Sequence, residues 1–312
     1  MSAPSASAVR AIRLLEIDRV TAEVVEAFRV AGIRSILLKG PALARWLFDR
    51  GSERSYVDCD LLVPVRSVDV AGEVLALLGF RRSPLNLSGD WPRHALVFSR
   101  DGVSVDLHRS LVGVGVSPDE LWSTLSGDTT FLHVGGSDVE VLSPTARALL
   151  VALHAAKDGA RVEKVNGDLR RAVERVPREA WIDVASLADR LSASEALAAG
   201  LRRVPAGARL AAELGLPTGV TAEIAMRERR VPPLATGINW LITSKGMRGK
   251  VGLVGRKLFP PVDFMRAWSR LAQRGVPGLL AAYAWRLIWV AWHGIPAVRS
   301  VVRAHRRARR AG

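Results

Sequence analysis

Two aspartates one residue apart are the side chains in this sequence that most clearly suggest chemistry. Asp58 and Asp60 lie in the segment SYVDCDLLVPV (residues 55–65), which otherwise has the apolar composition of a buried strand. Side chains alternate between the faces of a strand, so both carboxylates should project from the same face, roughly 7 Å apart along the backbone. Two negative charges at this short distance repel each other. We therefore expect either a cation between them or one protonated carboxyl group.

Two neighbouring motifs extend this set of polar groups. The segment VSVDLH (residues 103–108) predicts a strand that carries Asp106 and His108 on one face. The segment LLKGPALA (residues 37–44) predicts a strand, a tight turn at Gly40 and a helix that begins at Pro41. The free amides and positive dipole end of such a helix favour phosphate. Three carboxylates from two adjacent strands beside this turn would suit two magnesium ions that bridge a nucleoside triphosphate.

The remaining pattern predicts the elements that must position these groups. Apolar spacing indicates helices over residues 8–30 and 68–78, and the pair Asp101-Gly102 suits the turn of a hairpin over residues 94–108. Strands follow within residues 129–142, and Ala/Leu/Arg-rich helices begin at residue 143. We expect three regions: residues 1–142, a helical domain over 143–230, and a basic, Trp-rich region over 231–312. The first part of the basic, Trp-rich region, residues 231–261, is rich in Gly and Pro and is predicted to be a connector with loops.

The net charge of +15 is concentrated near the C-terminus. From residue 229 onward there are 17 Lys or Arg and one acid, which leaves 28 bases and 29 acids in residues 1–228. An anionic membrane surface or RNA would suit such a tail, although a solvated basic tail is an equally open interpretation. Trp285, Trp289 and Trp292 share one helical face, which suits either core packing or an interfacial helix. Arg286 and two flanking prolines argue against a full bilayer span.

The cysteine content and the first residues bear on the compartment. Cys59 is the only cysteine, which excludes an intrachain disulfide and a Cys-based zinc site, and we expect its side chain to point away from the carboxylates into the core. The first twenty residues have neither the basic start nor the apolar core of a secretion signal. We therefore expect a cytoplasmic protein, peripheral at the membrane if the tail binds lipid.

The order of these motifs resembles a known family. LLKGPALARWLF (residues 37–48), R-x-x-x-D-x-D-L-L-V (residues 54–63) and VDLH (residues 105–108) are similar to the uncharacterised nucleotidyltransferases of the DNA polymerase beta superfamily. The resemblance implies an α/β (α+β) fold, in which a mixed sheet with flanking helices is followed by a mainly helical domain and here by the basic tail. It also implies that Asp58, Asp60 and Asp106 are catalytic metal ligands.

The resemblance further implies contacts to the nucleotide. Gly40 matches the glycine of the phosphate-binding turn. Many members have Gly-Ser or Gly-Gly there, whereas this chain has Lys39-Gly40-Pro41, so a serine hydroxyl is missing and Lys39 could supply positive charge instead. Arg54 would either contact phosphate or pair with an aspartate. His94 and His108 could approach the site or be structural, and His154 and Lys157 could pair on a helix that closes over the nucleotide.

The implied reaction is the Mg²⁺- or Mn²⁺-dependent transfer of a nucleoside monophosphate from a nucleoside triphosphate (NTP), for instance ATP. The acceptor would be a hydroxyl or phosphate of a small molecule, sugar or peptide, because the body of the chain is electrically neutral. One alternative is a toxin-like enzyme that modifies RNA, such as the end of a transfer RNA. The basic tail would then bind the phosphates of the RNA. Another is a non-catalytic nucleotide-binding or membrane-associated accessory protein that keeps the fold.

Overall fold

The computed structural model describes residues 5–50, 53–83, 94–158, 162–219, 226, 234–243 and 247–311. These residues fall into two compact units. The first comprises residues 1–82 and 94–216, and the second comprises residues 83–93 and 217–312. The three predicted domains, 1–142, 143–230 and 231–312, remain a prediction.

A mixed sheet forms the centre of the first unit. Its strands are β1 (Ile36–Leu37), β2 (Asp58–Leu62), β3 (Arg81–Arg82), β4 (Ala95–Arg100), β5 (Val103–His108), β6 (Thr129–Val134) and β7 (Ser137–Leu142). Within the described residues the sheet has seven strands in the order β3-β4-β5-β2-β1-β7-β6. The pair β2 and β5 is parallel, as is the pair β1 and β7, whereas the other neighbours are antiparallel.

Nine α-helices and a 3-10 helix (Val65–Ser67) accompany this sheet in the described part of the first unit. The α-helices are α1 (Ala6–Val30), α2 (Pro41–Leu47), α3 (Val68–Leu77), α4 (Pro118–Ser126), α5 (Pro144–Asp158), α6 (Glu163–Arg175), α7 (Ala180–Arg190), α8 (Ser194–Leu201) and α9 (Pro205–Glu213). Helix α1 begins where the Ser5 hydroxyl accepts a hydrogen bond from the Ala8 amide, which satisfies one of the helix's free donors. The α/β fold predicted from the sequence is confirmed.

The core of the sheet domain lies between α1, α3 and one face of the sheet. Phe28 from α1, Leu75 from α3 and Cys59 and Leu61 from β2 are all fully buried in one apolar cluster. Cys59 therefore points into the core, as predicted, and the carboxylates that flank it project from the other face of β2. The strand alternation thus separates the apolar packing of the unit from its polar chemistry.

The hairpin turn lies where the sequence places it. Asp101 and Gly102 have φ angles of 49° and 79° between β4 and β5. Two consecutive positive φ angles are the signature of the tight hairpin turn that an Asp-Gly pair favours. This turn fixes the register of β5 and therefore the height of Asp106 in the sheet.

The second unit is helical where the structure describes it. Its α-helices are α10 (Ala235–Thr243), α11 (Met247–Leu258), α12 (Val262–Trp268) and α13 (Gly275–Ala311), and a 3-10 helix covers Arg270–Gln273. The predicted connector with loops over residues 231–261 is wrong for the parts that form α10 and α11, because packing against α13 outweighs the weak helix propensity of glycine. Helix α13 continues through Pro296, so that proline does not end it. Among the described residues, none of the helices is both long and apolar enough to cross a bilayer.

Candidate active site

Parallel pairing of β2 and β5 brings the predicted acidic residues together. Asp60 lies directly across from Asp106 in this register, and Asp58 lies across from Ser104. Residues that face each other across neighbouring strands project to the same side of a sheet. Asp106 is therefore on the same face as the Asp58/Asp60 pair, as the sequence predicts.

The tightest polar cluster on this face combines two carboxylates and an imidazole. Asp60, Asp106 and His108 each offer one ligand atom, and these atoms all lie within 4.8 Å of one another. Asp58 belongs to the same strand face but is not part of this cluster. His94 lies beside it, with its ring centroid 5.8 Å from that of His108. His108 takes a place in the cluster that the resemblance does not assign to it.

The two carboxylate oxygens of Asp60 have different surroundings. Its Oδ1 accepts hydrogen bonds from Lys39 Nζ at 2.7 Å and from His108 Nε2 at 2.8 Å. Because an ionised carboxylate only accepts hydrogen bonds, Nε2 of His108 carries the proton. Oδ2 of Asp60, in contrast, is buried and has no hydrogen-bond partner among the described residues. A buried carboxylate oxygen without a partner is costly, so this atom is suited to a ligand.

Lys39 is the cation that the closely spaced aspartates require. Burial alone would lower the pKa of Lys39, but attraction by Asp60 raises it above its ordinary value. Burial alone would likewise raise the pKa of Asp60, but the Lys39 ammonium and the hydrogen bond from His108 hold it well below its ordinary value. Asp60 is therefore an anion inside the protein, although it is only 1% exposed.

The pKa values of the other two carboxylates, Asp58 and Asp106, are raised rather than lowered. Burial and repulsion by Asp60 raise the pKa of Asp58 above its ordinary value. The same two causes raise the pKa of Asp106 to about 6. Burial and the crowding of negative charge on one face of the sheet therefore both disfavour the ionised forms, and a divalent cation would relieve the crowding.

Gly40 forms the turn that leads from β1 into α2. Its φ of 59° and ψ of −124° belong to a region that side chains rarely permit. Helix α2 is only seven residues long, Pro41 has no amide proton, and the Ala42 amide donates to the Lys39 carbonyl at 3.2 Å. The predicted contact of this turn with phosphate remains a prediction, with Lys39 as its nearby source of charge.

Arg54 pairs with an aspartate that the sequence does not single out. Its guanidinium donates to both carboxylate oxygens of Asp168 on α6, at 2.9 to 3.1 Å, and to the Gly40 carbonyl at 3.4 Å. Both side chains of this ion pair are almost fully buried, at 4% and 3% exposed. The sequence left open whether Arg54 contacts phosphate or pairs with an aspartate, and the structure shows an ion pair with Asp168. Its predicted contact with the nucleotide stays a prediction.

Two helices of the predicted helical domain approach the cluster. Lys164 at the start of α6 donates to the Ser55 carbonyl and lies near enough to Asp58 to oppose the rise in that group's pKa. Burial lowers the pKa of His154 on α5, and repulsion by Lys39 adds to the effect. His154 and Lys157 do not pair with each other, since both contact Asp158, at 3.4 and 3.5 Å. Lys164 was missed because nothing in the sequence links it to residue 58 before α6 is placed.

The donor atoms fit a magnesium or manganese ion. Such ions take carboxylate oxygens, and the unpartnered Oδ2 of Asp60 and the carboxylate of Asp106 supply them from two neighbouring strands. The imidazole of His108 is held to Asp60, which fixes the orientation of the carboxylate as outer partners of metal sites do. The site is therefore chemically suited to the ion that the resemblance implies.

The sequence over residues 5–206 matches the model of a family described as uncharacterised nucleotidyltransferase. This match covers more than half of the chain. The chain belongs to this family. The family resemblance stated from the motifs is therefore confirmed, and the protein is by family a nucleotidyltransferase. No curated protein matches its sequence.

Several solved structures are similar to this nucleotidyltransferase in fold. ANT(2'')-Ia in complex with adenylyl-2''-tobramycin shares 14% identity at a TM-score of 0.42, over 55% of this chain and 97% of that one. The lincosamide antibiotic adenylyltransferase LnuA shares 12% identity at a TM-score of 0.34, over 48% and 92%. An antigenic nucleotidyltransferase-like protein from Paracoccidioides brasiliensis shares 16% identity at a TM-score of 0.36, over 59% and 94%. At this distance they assign no substrate to this chain.

Proposed function

We propose that this nucleotidyltransferase moves a nucleoside monophosphate from an NTP to an acceptor hydroxyl or phosphate of a small molecule, sugar or peptide, with release of pyrophosphate. Mg²⁺ or Mn²⁺ would be held by Asp58, Asp60 and Asp106. The observation that supports this most strongly is the convergence of Asp60 and Asp106 from parallel strands, with Oδ2 of Asp60 buried and unpartnered.

The carboxylates would divide the work of holding the ion. Asp60 would offer Oδ2 while Lys39 and His108 keep Oδ1 in place, so its orientation is set before any ligand arrives. Asp106 and Asp58 would be ionised as ligands, because the charge of the bound ion would oppose the burial and the repulsion by Asp60 that raise their pKa values. The bound ion would supply charge neutralisation at the triphosphate and would lower the proton affinity of the acceptor hydroxyl.

Two lysines would attract the triphosphate. Lys39 lies two residues after β1 and contacts Asp60, and Lys164 on α6 lowers the pKa of Asp58 by its positive charge. Together they would supply positive charge beside the Asp58/Asp60 pair. Gly40 would let the backbone of the turn approach phosphate closely.

The nature of the acceptor separates the main proposal from its rival. The near balance of 28 bases and 29 acids in residues 1–228 favours a small or neutral acceptor, whereas the 17 bases after that point would favour RNA. The non-catalytic accessory protein is less favoured, because the family is one of transferases and the cluster keeps the donor atoms for a metal.

A labelling experiment tests the proposal. The full chain would be incubated with Mg²⁺, each α-phosphate-labelled NTP and cell extract, which is then separated into small molecules, protein and RNA. We expect label in a small-molecule or peptide product that is distinct from the NTP and that does not form without the protein. Label in RNA would favour the rival acceptor, and no transfer from any NTP would contradict the proposed reaction.

Matched aspartate variants show whether the transfer occurs at this site. Asp60→Asn should lower the transfer rate by at least about 100-fold, since loss of mere outer partners of a metal site costs about 10–100-fold. Asp138→Asn is the control, because the Asp138 side chain is 74% exposed on β7 and is not a member of the cluster. Equal rates for the two variants would remove Asp60 from the mechanism.

A further inference from the structure

Helix α13 presents an apolar face that no described residue covers. Its large side chains, which are between 42% and 79% exposed, are Trp285, Ile288, Trp292, Ile295, Val298 and Val302. Their spacing of three or four residues places them on one side of the helix, along about 26 Å of its length. Exposed apolar surface of this extent on a soluble unit marks a binding surface.

The opposite side of α13 is already used for packing within the second unit. Ala282 packs in a cluster with Phe264 and Met265, and Ala297 and Val301 pack in a cluster with Ala235. Arg286, the only Lys or Arg between residues 275 and 298, is also on this packed side. It is 5% exposed and donates to the Lys257 carbonyl at 2.9 and 3.1 Å. The exposed face is therefore uncharged over its whole first part.

The same face becomes basic toward its C-terminal end. Arg299 and Arg303 follow Trp292 by seven and eleven residues, which returns each of them to the side of that tryptophan. Both arginines are exposed, as is Arg306 one turn later. An apolar, Trp-bearing stripe that ends in cations is typical of helices that lie in a membrane interface, with indole rings at headgroup level and arginines on anionic lipid.

We infer that this face of α13, residues 285–306, docks on an anionic lipid bilayer, with the helix lying in the interface rather than crossing it. Charge complementarity decides between the possible occupants. A second copy would bring together two regions that each carry 17 Lys or Arg and one acid, and these would repel. RNA would satisfy the arginines but would leave the isoleucine and valine side chains without an apolar partner. The inference does not depend on the proposed reaction.

Co-sedimentation of the full chain with vesicles tests the inference. We expect binding to vesicles of phosphatidylcholine with phosphatidylglycerol, little binding to phosphatidylcholine alone, and weakening with salt. Trp285→Ser with Trp292→Ser should lower the partition constant about tenfold or more, since two large apolar side chains no longer enter the lipid. Phe131→Ser is the matched control, because Phe131 is 73% exposed on β6 of the first unit.

A charge arm and a second apolar variant complete the test. Arg299→Ser with Arg303→Ser should lower binding to anionic vesicles by about fivefold per arginine, whereas Arg190→Ser, an exposed arginine of α7, should not. Ile288→Ser with Ile295→Ser replaces the tryptophan variant if that one fails to fold. Three results would each overturn the inference: no vesicle binding by the wild type, undiminished binding by the folded stripe variants, or a stripe that instead proves to be needed for RNA binding or for dimerisation.

Discussion

At the scale of single residues, the site is organised around one oxygen of Asp60. Lys39 and His108 both donate to its Oδ1, so neither has to leave for a cation to reach Oδ2. Lys39 is the cation that the paired carboxylates require, and it lies two residues after β1, next to the turn. The conflict between two like charges on a strand is thus resolved by a lysine of the neighbouring segment.

His108 offers a prediction that distinguishes its two nitrogens. Glutamine can place an amide nitrogen where Nε2 of histidine lies, whereas asparagine reaches only as far as Nδ1. We expect His108→Gln to keep most of the transfer rate and His108→Asn to lose about 10–100-fold, because Asp60 is then no longer held. Measured nucleotidyl transfer decides this. If both variants lost activity equally, His108 would not act through the hydrogen bond from Nε2.

Gly40 offers a second prediction, with another glycine as its control. Gly40→Ala should cost about 1–3 kcal/mol of the free energy of unfolding, because alanine is strained at this φ and ψ. It should also weaken NTP binding. Gly32→Ala introduces strain of the same kind at a φ of 70° in open space at the end of α1, away from the site.

Equilibrium urea denaturation and a nucleotide titration measure the two effects separately. Gly32→Ala should lower stability and leave nucleotide affinity unchanged. If Gly40→Ala behaved in the same way, the turn would be structural only.

Much of the site could be predicted at this scale, and the limit is instructive. Strand alternation correctly places Asp58 and Asp60 on one face and Cys59 in the core. The hydrogen bond between His108 and Asp60 could not be predicted, since it depends on the parallel register of two strands that are 48 residues apart in the chain.

At the scale of elements, a buried ion pair ties α6 to the turn beside β1. Arg54 reaches Asp168 with two nitrogens and also donates to the carbonyl of Gly40. A bidentate pair between planar groups holds its two partners in a defined geometry. The helical part of the first unit is therefore coupled directly to the turn of the candidate site.

Removal of one partner of this ion pair should lower the free energy of unfolding much more than replacement of both partners by apolar residues. Asp168→Ala should lower the free energy of unfolding by about 3–5 kcal/mol, because it leaves the Arg54 charge buried and unpaired. Arg54→Met combined with Asp168→Leu should cost much less than the sum of the single changes. Urea denaturation measures each variant.

An exposed pair on the same helix provides the control. The side chains of Arg170 and Glu163 are 50% and 75% exposed, so Glu163→Ala should lower the free energy of unfolding far less than Asp168→Ala. Additive costs for the buried pair would show that Arg54 and Asp168 do not depend on each other.

Local signals predicted most of the elements, and long-range packing decided the rest. The Asp101-Gly102 turn and Pro41 at the start of α2 follow from backbone preferences alone. The short strand β3 has no apolar pattern, because Arg81 and Arg82 are both exposed at the edge of the sheet. Helices α10 and α11 were missed because their glycines suggest loops, whereas both helices pack against α13, which local sequence does not indicate.

At the scale of the whole molecule, charge and chemistry occupy different parts of the chain. The carboxylate cluster belongs to the first unit, whereas the basic residues after residue 228 belong to the second. The family match ends at residue 206, before the larger part of the second unit, residues 217–312. We therefore expect the nucleotidyltransferase chemistry to depend on the first unit and the docking of the chain on the second.

The most direct test of the account is a titration of the full chain with Mn²⁺, followed by the electron paramagnetic resonance signal of the free ion. The account predicts saturable binding that Asp60→Asn abolishes or weakens at least about 100-fold, that Asp138→Asn leaves unchanged, and that Mg²⁺ competes away. Equal Mn²⁺ affinity in the wild type and in Asp60→Asn would contradict the central claim that the strand carboxylates hold a divalent cation.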